Sequence, residues 1–126
     1  MTEKELVQLC KLGETTTTQF KLEFTTQKQI AEEMVAFANT RGGVIIFGAE
    51  DKTGKMVGLT YEQVQYTSRE LGNTANEQVR PVIYLETEVV MHDDMAYLLA
   101  FVKNGVYKPY KDLSGNIWVK QGADKR

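Results

Sequence analysis

The feature that most restricts this chain is a helical pattern that runs, across a glycine pair, into a strand apolar on both faces. Ile30, Met34, Phe37 and Ala38 recur at the 3.6-residue period, and Ala31 and Val35 widen the stripe. Thr26 is an N-cap with Gln29 three residues on, and Lys28, Glu32 and Glu33 are expected to face water. Arg41 suits the negative end of the helix dipole, and Gly42 suits a left-handed exit. Val44-Ile45-Ile46-Phe47 then has no polar phase, as a central strand covered on both sides requires.

The flanking segments carry their own signals. Thr2 and Glu5 form a capping box for a short first helix that puts Leu6, Leu9 and Cys10 on one face and stops at Gly13. Phe20, Leu22 and Phe24 alternate with Lys21 and Glu23, which predicts a strand over about 17–24. Gly48 permits close backbone approach, Asp51-Lys52-Thr53-Gly54 reads as a turn, and Met56-Val57 reads as a short return. Thr60 and Gln63 cap a second long helix along Val64, Ser68, Leu71, Ala75 and Val79, closed by Pro81. Ile83, Leu85, Thr87, Val89 and Met91 alternate, and with Met95–Val102 they predict an antiparallel hairpin turning at His92-Asp93-Asp94. A last strand is expected over Ile117–Gln121, with Trp118 and Lys120 on its solvent side. The sum is one α+β domain over residues 1–126. It has a mixed, largely antiparallel sheet of five or six strands, two longer helices and a short N-terminal helix.

Composition removes several function classes. Lys plus Arg is 15 against 17 Asp plus Glu, a net charge of -2, so the chain is not globally basic. One cysteine excludes an intrachain disulfide, and one histidine, His92, excludes a two-histidine metal site. His92 is expected at the surface beside the hairpin turn. Neither a P-loop nor a Gly-x-Gly-x-x-Gly pattern is present. No apolar run approaches a membrane span, and the polar start lacks signal-peptide character, which places the expectation in the cytoplasm. The ending on Lys125-Arg126 fits the N-terminal part of a longer protein.

Charge is uneven, and that asymmetry carries the candidate site. Residues 103–126 hold six bases (Lys103, Lys108, Lys111, Lys120, Lys125, Arg126) against two acids. Tyr107-Lys108-Pro109-Tyr110-Lys111 interleaves rings and cations, the mixture that binds single-stranded nucleic acid by stacking and phosphate neutralisation. The same loop reads equally as tyrosines packed over a sheet edge. Lys103, Lys108, Lys111 and Lys120 form a nucleic-acid face only if they converge with Arg41, while Tyr107 or Tyr110 supplies the stacking ring. Asn39, Gly42 and Gly43 mark a turn whose amides suit an anion, or a plain helix exit. Glu14, Glu23, Glu50 and Asp51 are candidates for a divalent ion should the first and central strands pair, or ordinary solvated acids.

Together these motifs resemble the Schlafen/AlbA-like domain found at the N-terminus of bacterial transcriptional regulators and helicase-related proteins. The resemblance rests on Ala36-Phe37-Ala38-Asn39-Thr40, Gly42-Gly43, Ile45-Ile46-Phe47-Gly48, Asp51, Gly54 and Val57-Gly58-Leu59 in that order. Lys108-Pro109-Tyr110 and Ile117-Trp118-Val119-Lys120-Gln121-Gly122 extend it, with Lys120 where the family has arginine. Glu14 and Gln19-Phe20-Lys21 match its opening glutamate and strand. In animal Schlafen relatives, carboxylates from these places support metal-dependent RNA cleavage. Here Glu14 matches the first, Gln19 replaces the second, and Glu50 or Asp51 stands for the third. An amide brings no negative charge to a divalent ion, so the resemblance implies binding of DNA or RNA without catalysis and without a cofactor. Two other readings are an oligomerisation or sensing module, compatible with a homodimer, and a metal-dependent ribonuclease.

Overall fold

The computed structural model describes residues 1–126, and local capping sets its helices. In α1 (Glu3–Leu12), Thr2 Oγ1 accepts from Glu5 N at 3.1 Å and Glu5 Oε1 accepts from Thr2 N at 3.0 Å. In α2 (Gln27–Asn39), Thr26 Oγ1 accepts from Gln29 N at 3.2 Å. In α3 (Tyr61–Glu77), Thr60 and Gln63 exchange the reciprocal pair. This last helix ends before Val79, which belongs to the next strand. Its buried stripe runs through Thr67 and Thr74, and Ser68 is exposed.

The main sheet has the order β1-β2-β5-β4, with β1 Thr18–Lys21, β2 Gly43–Phe47, β4 Leu85–His92 and β5 Met95–Val102. β1 and β2 are parallel and joined through α2; β2–β5 and β4–β5 are antiparallel. The β4–β5 turn is Asp93-Asp94, both at positive φ (48° and 63°). Two ribbons stand outside this sheet: β3 (Val79–Arg80) with β6 (Lys111–Asp112), and β7 (Lys120–Gln121) with β8 (Asp124–Lys125). Three expected strands are shortened. The first ends at Lys21, the last holds only Lys120–Gln121, and the Met56 return is a single bridge to Ala49.

Strand alternation distributes the core to two faces. Ile45, Phe47, Leu98 and Ala100 pack with Ile30, Met34, Phe37 and Leu71 of the two long helices. Val44, Ile46, Tyr97 and Leu99 pack with Leu6 and Cys10 of α1. Each fully buried large apolar side chain contributes about 1.5–3 kcal/mol. Burial pushes the Cys10 thiol up from its ordinary range, consistent with a packing role. Gly48, at φ 110°, lets Tyr97 lie where a Cβ would be only 2.9 Å from its ring.

Two side chains expected in water are buried. Glu33 is only 3% exposed, and its Oε1 pairs with Lys125 Nζ at 3.0 Å. Lys120 is 7% exposed, whereas Ile117 and Val119, on the opposite phase, are exposed. The strand is therefore turned over relative to the expectation. The decisive contacts are non-local: Lys120 Nζ donates to Gln19 Oε1 (2.9 Å) and sits 5.1 Å from the centre of the Phe37 ring, and a local bond to Ala123 O (2.8 Å) adds to them. Satisfied donors make the lysine acceptable inside.

Candidate nucleic-acid interface

The candidate surface is assembled where α2 gives way to β2. Gly42 has φ 74°, and a Cβ there would meet Asn104 N at 2.6 Å and Val102 O at 2.7 Å. The helix exit thus lies directly against the start of the 103–110 loop. Asn39 secures the other end of that loop. Its Nδ2 donates to Tyr110 O and Trp118 O, both at 2.9 Å, and its Oδ1 accepts from Tyr110 N at 2.6 Å. Gly42 N donates to Phe37 O at 2.8 Å, and a Cβ on Gly43 would meet the Phe37 ring at 2.5 Å. Asn39, Gly42 and Gly43 therefore form a backbone joint; the anion-cradle reading of this turn is not realised.

The joint brings the backbones or side chains of three of the expected cations to the helix exit. Lys108 Nζ donates to Thr40 O at 3.3 Å, Arg41 is the next residue and exposed, and Lys103 adjoins the Gly42 backbone. Lys103 Nζ lies 5.1 Å from the Tyr84 ring centre, a cation–π geometry. Tyr107 is 73% exposed and free to stack; Tyr110 is 3% exposed, and its hydroxyl accepts from Tyr107 N. Tyr110 is thus a buried support rather than a stacking ring, because Asn39 holds its backbone. Lys111 is exposed but stands on β6 opposite Arg80 of β3. Lys120 is withdrawn from the surface, so it is not a phosphate contact. Burial draws its pKa below the ordinary lysine range, while the Glu33 and Glu14 carboxylates pull the other way. Tyr84 and Val82, exposed beside Lys103, were not singled out in the sequence. The available signal was Tyr84 falling on the polar phase of the Ile83–Met91 alternation.

The acids serve the edge of the sheet. Thr17 O accepts from Val44 N of β2 and Lys21 O from Gly48 N just beyond it, so the N–H groups of Thr18, Phe20 and Leu22 point away from that strand. Thr15 O, Glu14 Oε2 and Asp51 Oδ1 accept those three. Asp51 also pairs with Lys21 at 3.4 Å, and Glu14 Oε2 accepts from Gln19 Nε2 at 2.6 Å. Glu50 accepts from Thr53, and Glu23 accepts from Gln63. No three His, Cys, Asp or Glu side chains group as metal ligands, and Gln19 and Lys120 place an amide and an ammonium next to Glu14. This donor set does not fit a divalent cation. His92 ends β4 half-buried, with Nδ1 2.7 Å from Glu3 Oε2.

An α+β domain with this mixed sheet has known relatives. Residues 14–126 match the Schlafen, AlbA_2 family, and the chain belongs to that family. No curated protein matches it. Among solved structures, it resembles the N-terminal domain of a Nitrosomonas europaea protein named as related to the ATP-dependent DNA helicase RecG. The TM-score is 0.69 at 19% identity, over 90% of this chain and 79% of that one. The DIP2311 protein from Corynebacterium diphtheriae matches with a TM-score of 0.62 at 21% identity, over 88% of this chain. This chain spans only 22% of that protein. Both likenesses concern the fold. No helix is long and apolar enough to cross a membrane.

Proposed function

We propose that this domain binds DNA or RNA, independently of sequence and without catalysis, as a module of a cytoplasmic bacterial transcriptional regulator. The supporting observation is the packing of the Gly42 backbone on residues 102–104 and of Lys108 Nζ on Thr40 O. This packing sets Arg41 and the Lys108 ammonium at the helix exit beside the Lys103 backbone, and Lys103 shares a cavity with the exposed Tyr107, in a chain of net charge -2. Clustered cations next to an exposed ring neutralise phosphate and stack a base. A non-catalytic role is supported by the ammonium of Lys120 and the amide of Gln19 beside Glu14. Nothing in this surface offers a recognition helix to the major groove, so base-sequence readout falls to another domain. Binding of labelled duplex and single strands, titrated from low to high salt, tests the reading. Affinity that falls steeply with salt supports it; no affinity for either strand at low salt overturns it.

A second reading, an oligomerisation module, rests on a different surface. An apolar cavity of about 530 Å3 opens between Val64, Val89, Met91 and Met95, next to the unpaired edge of β4. Sedimentation showing a dimer that Met91→Asp dissociates would favour it; a monomer at all concentrations removes it.

A further inference from the structure

We infer that the ligand of this surface is a single strand, and that one unpaired base enters a slot between residues 82–84 and 104–107. The inference rests on the nucleic-acid reading above and specifies its substrate. Val82 (60%), Tyr84 (66%), Val106 (82%) and Tyr107 (73%) are among the most exposed large apolar side chains in the chain. All four line one cavity of about 240 Å3, floored by Ile83 and the buried Tyr110. Exposed apolar residues that share one concave site point to a ligand rather than to chance.

Charge decides the kind of ligand. Lys103 is the only charged residue lining the slot, and no acid does. Lys108 and Arg41 stand at the neighbouring helix exit. The larger apolar groove beside β4 has Asp94 in its lining and no base, so it lacks this complementarity. An apolar slot with one cation in its lining and two more at the neighbouring helix exit fits a flat ring carried on a phosphate chain. Its volume is below the roughly 300–1,000 Å3 that holds a drug-sized ligand, which limits it to one ring system. Asn104 is the one uncharged amide residue in the lining, a type that hydrogen-bonds base edges. A base inside a duplex is stacked on its neighbours and has no free face to insert, so the slot selects unpaired bases.

The test compares a labelled oligothymidylate, an abasic strand with the same number of phosphates, and a duplex, by fluorescence anisotropy at low salt. The slot predicts about tenfold tighter binding of the oligothymidylate than of the abasic strand. Tyr84→Ala/Tyr107→Ala, at two exposed positions, should reduce the oligothymidylate to the abasic level while circular dichroism stays that of the wild type. Tyr107→Phe should retain wild-type affinity. Oligouridylate should bind within a few-fold of oligothymidylate, since the slot reads a ring and not a sugar; a strict requirement for the 2′-hydroxyl contradicts it. Equal binding of base-bearing and abasic strands overturns the slot while leaving the phosphate contacts in place. A free protein that is dimeric and becomes monomeric in the double variant also overturns it, by putting a second copy there. No binding of any strand overturns both the slot and the reading on which it rests.

Discussion

Lys120 Nζ lies 2.9 Å from Gln19 Oε1, so a buried ammonium joins the last ribbon to the first strand across most of the sequence. Lys120→Met removes that donor and strands the acceptors of Gln19 and Ala123. Urea unfolding should show a loss of about 2 kcal/mol with an unchanged m-value. The pH dependence has a definite sign. Burial lowers the folded-state pKa of Lys120, so between that value and the unfolded one, near 10.4, the unfolded chain holds more protons. Wild-type stability contributed by this group therefore rises with pH through that window. The gap between wild type and Lys120→Met should widen as pH rises; a gap that narrows contradicts the assignment.

Asp112 works in the opposite part of the pH scale. Burial pushes its pKa up, but hydrogen bonds from Trp118 Nε1 and the backbone of Asn116 and Ser114 outweigh that and hold it below the ordinary value. Its stabilisation is complete above the unfolded pKa, near 3.9, and is lost as pH falls through the lower folded value. Asp112→Asn should cost about 1–2 kcal/mol at neutral pH, because its amide confronts the indole N–H. That cost should shrink on acidification. Fluorescence of Trp118, the single tryptophan, reports unfolding at this position directly.

Asn39 makes three hydrogen bonds to the backbone of residues 110 and 118. Asn39→Ala leaves those buried groups without partners and should destabilise the domain by about 3 kcal/mol. Because the same bonds fix the end of the 103–110 loop, nucleic-acid affinity should fall under conditions where circular dichroism still shows a folded protein. Unchanged affinity in the folded variant would detach the loop's position from binding.

What the sequence made legible was what short-range chemistry decides. The Thr2–Glu5 and Thr60–Gln63 boxes, the Gly42 exit and the Asp93-Asp94 hairpin each depend on residues within a few positions of one another. The β2 strand was equally plain, because four apolar residues in a row leave no solvent phase. The failures share the opposite property. Lys120 and Glu33 look like surface residues until Gln19 and Lys125 arrive from distant positions as their partners. Tyr110 looks like a stacking ring until Asn39 is seen to pin it. For Glu14 and Asp51 the sequence left metal ligation and ordinary solvation both open; that they accept the outward N–H groups of Phe20 and Leu22 depends on the first strand lying at the sheet edge. For the site, Arg41, Lys103, Tyr107 and Lys108 were identifiable as residue types, but the approach of the helix exit to the 103–110 loop depends on Gly42 lying against Asn104.

The most direct test of the central claim is the salt dependence of single-strand affinity in Arg41→Ala/Lys103→Ala/Lys108→Ala. Each phosphate contact contributes about 0.7 to the slope of log affinity against log salt. The triple variant should therefore bind more weakly at low salt, with a slope shallower by about 2, while Lys28→Ala at the far end of α2 leaves it unchanged. A wild-type slope in the triple variant would contradict the account and place the contacts elsewhere on the domain.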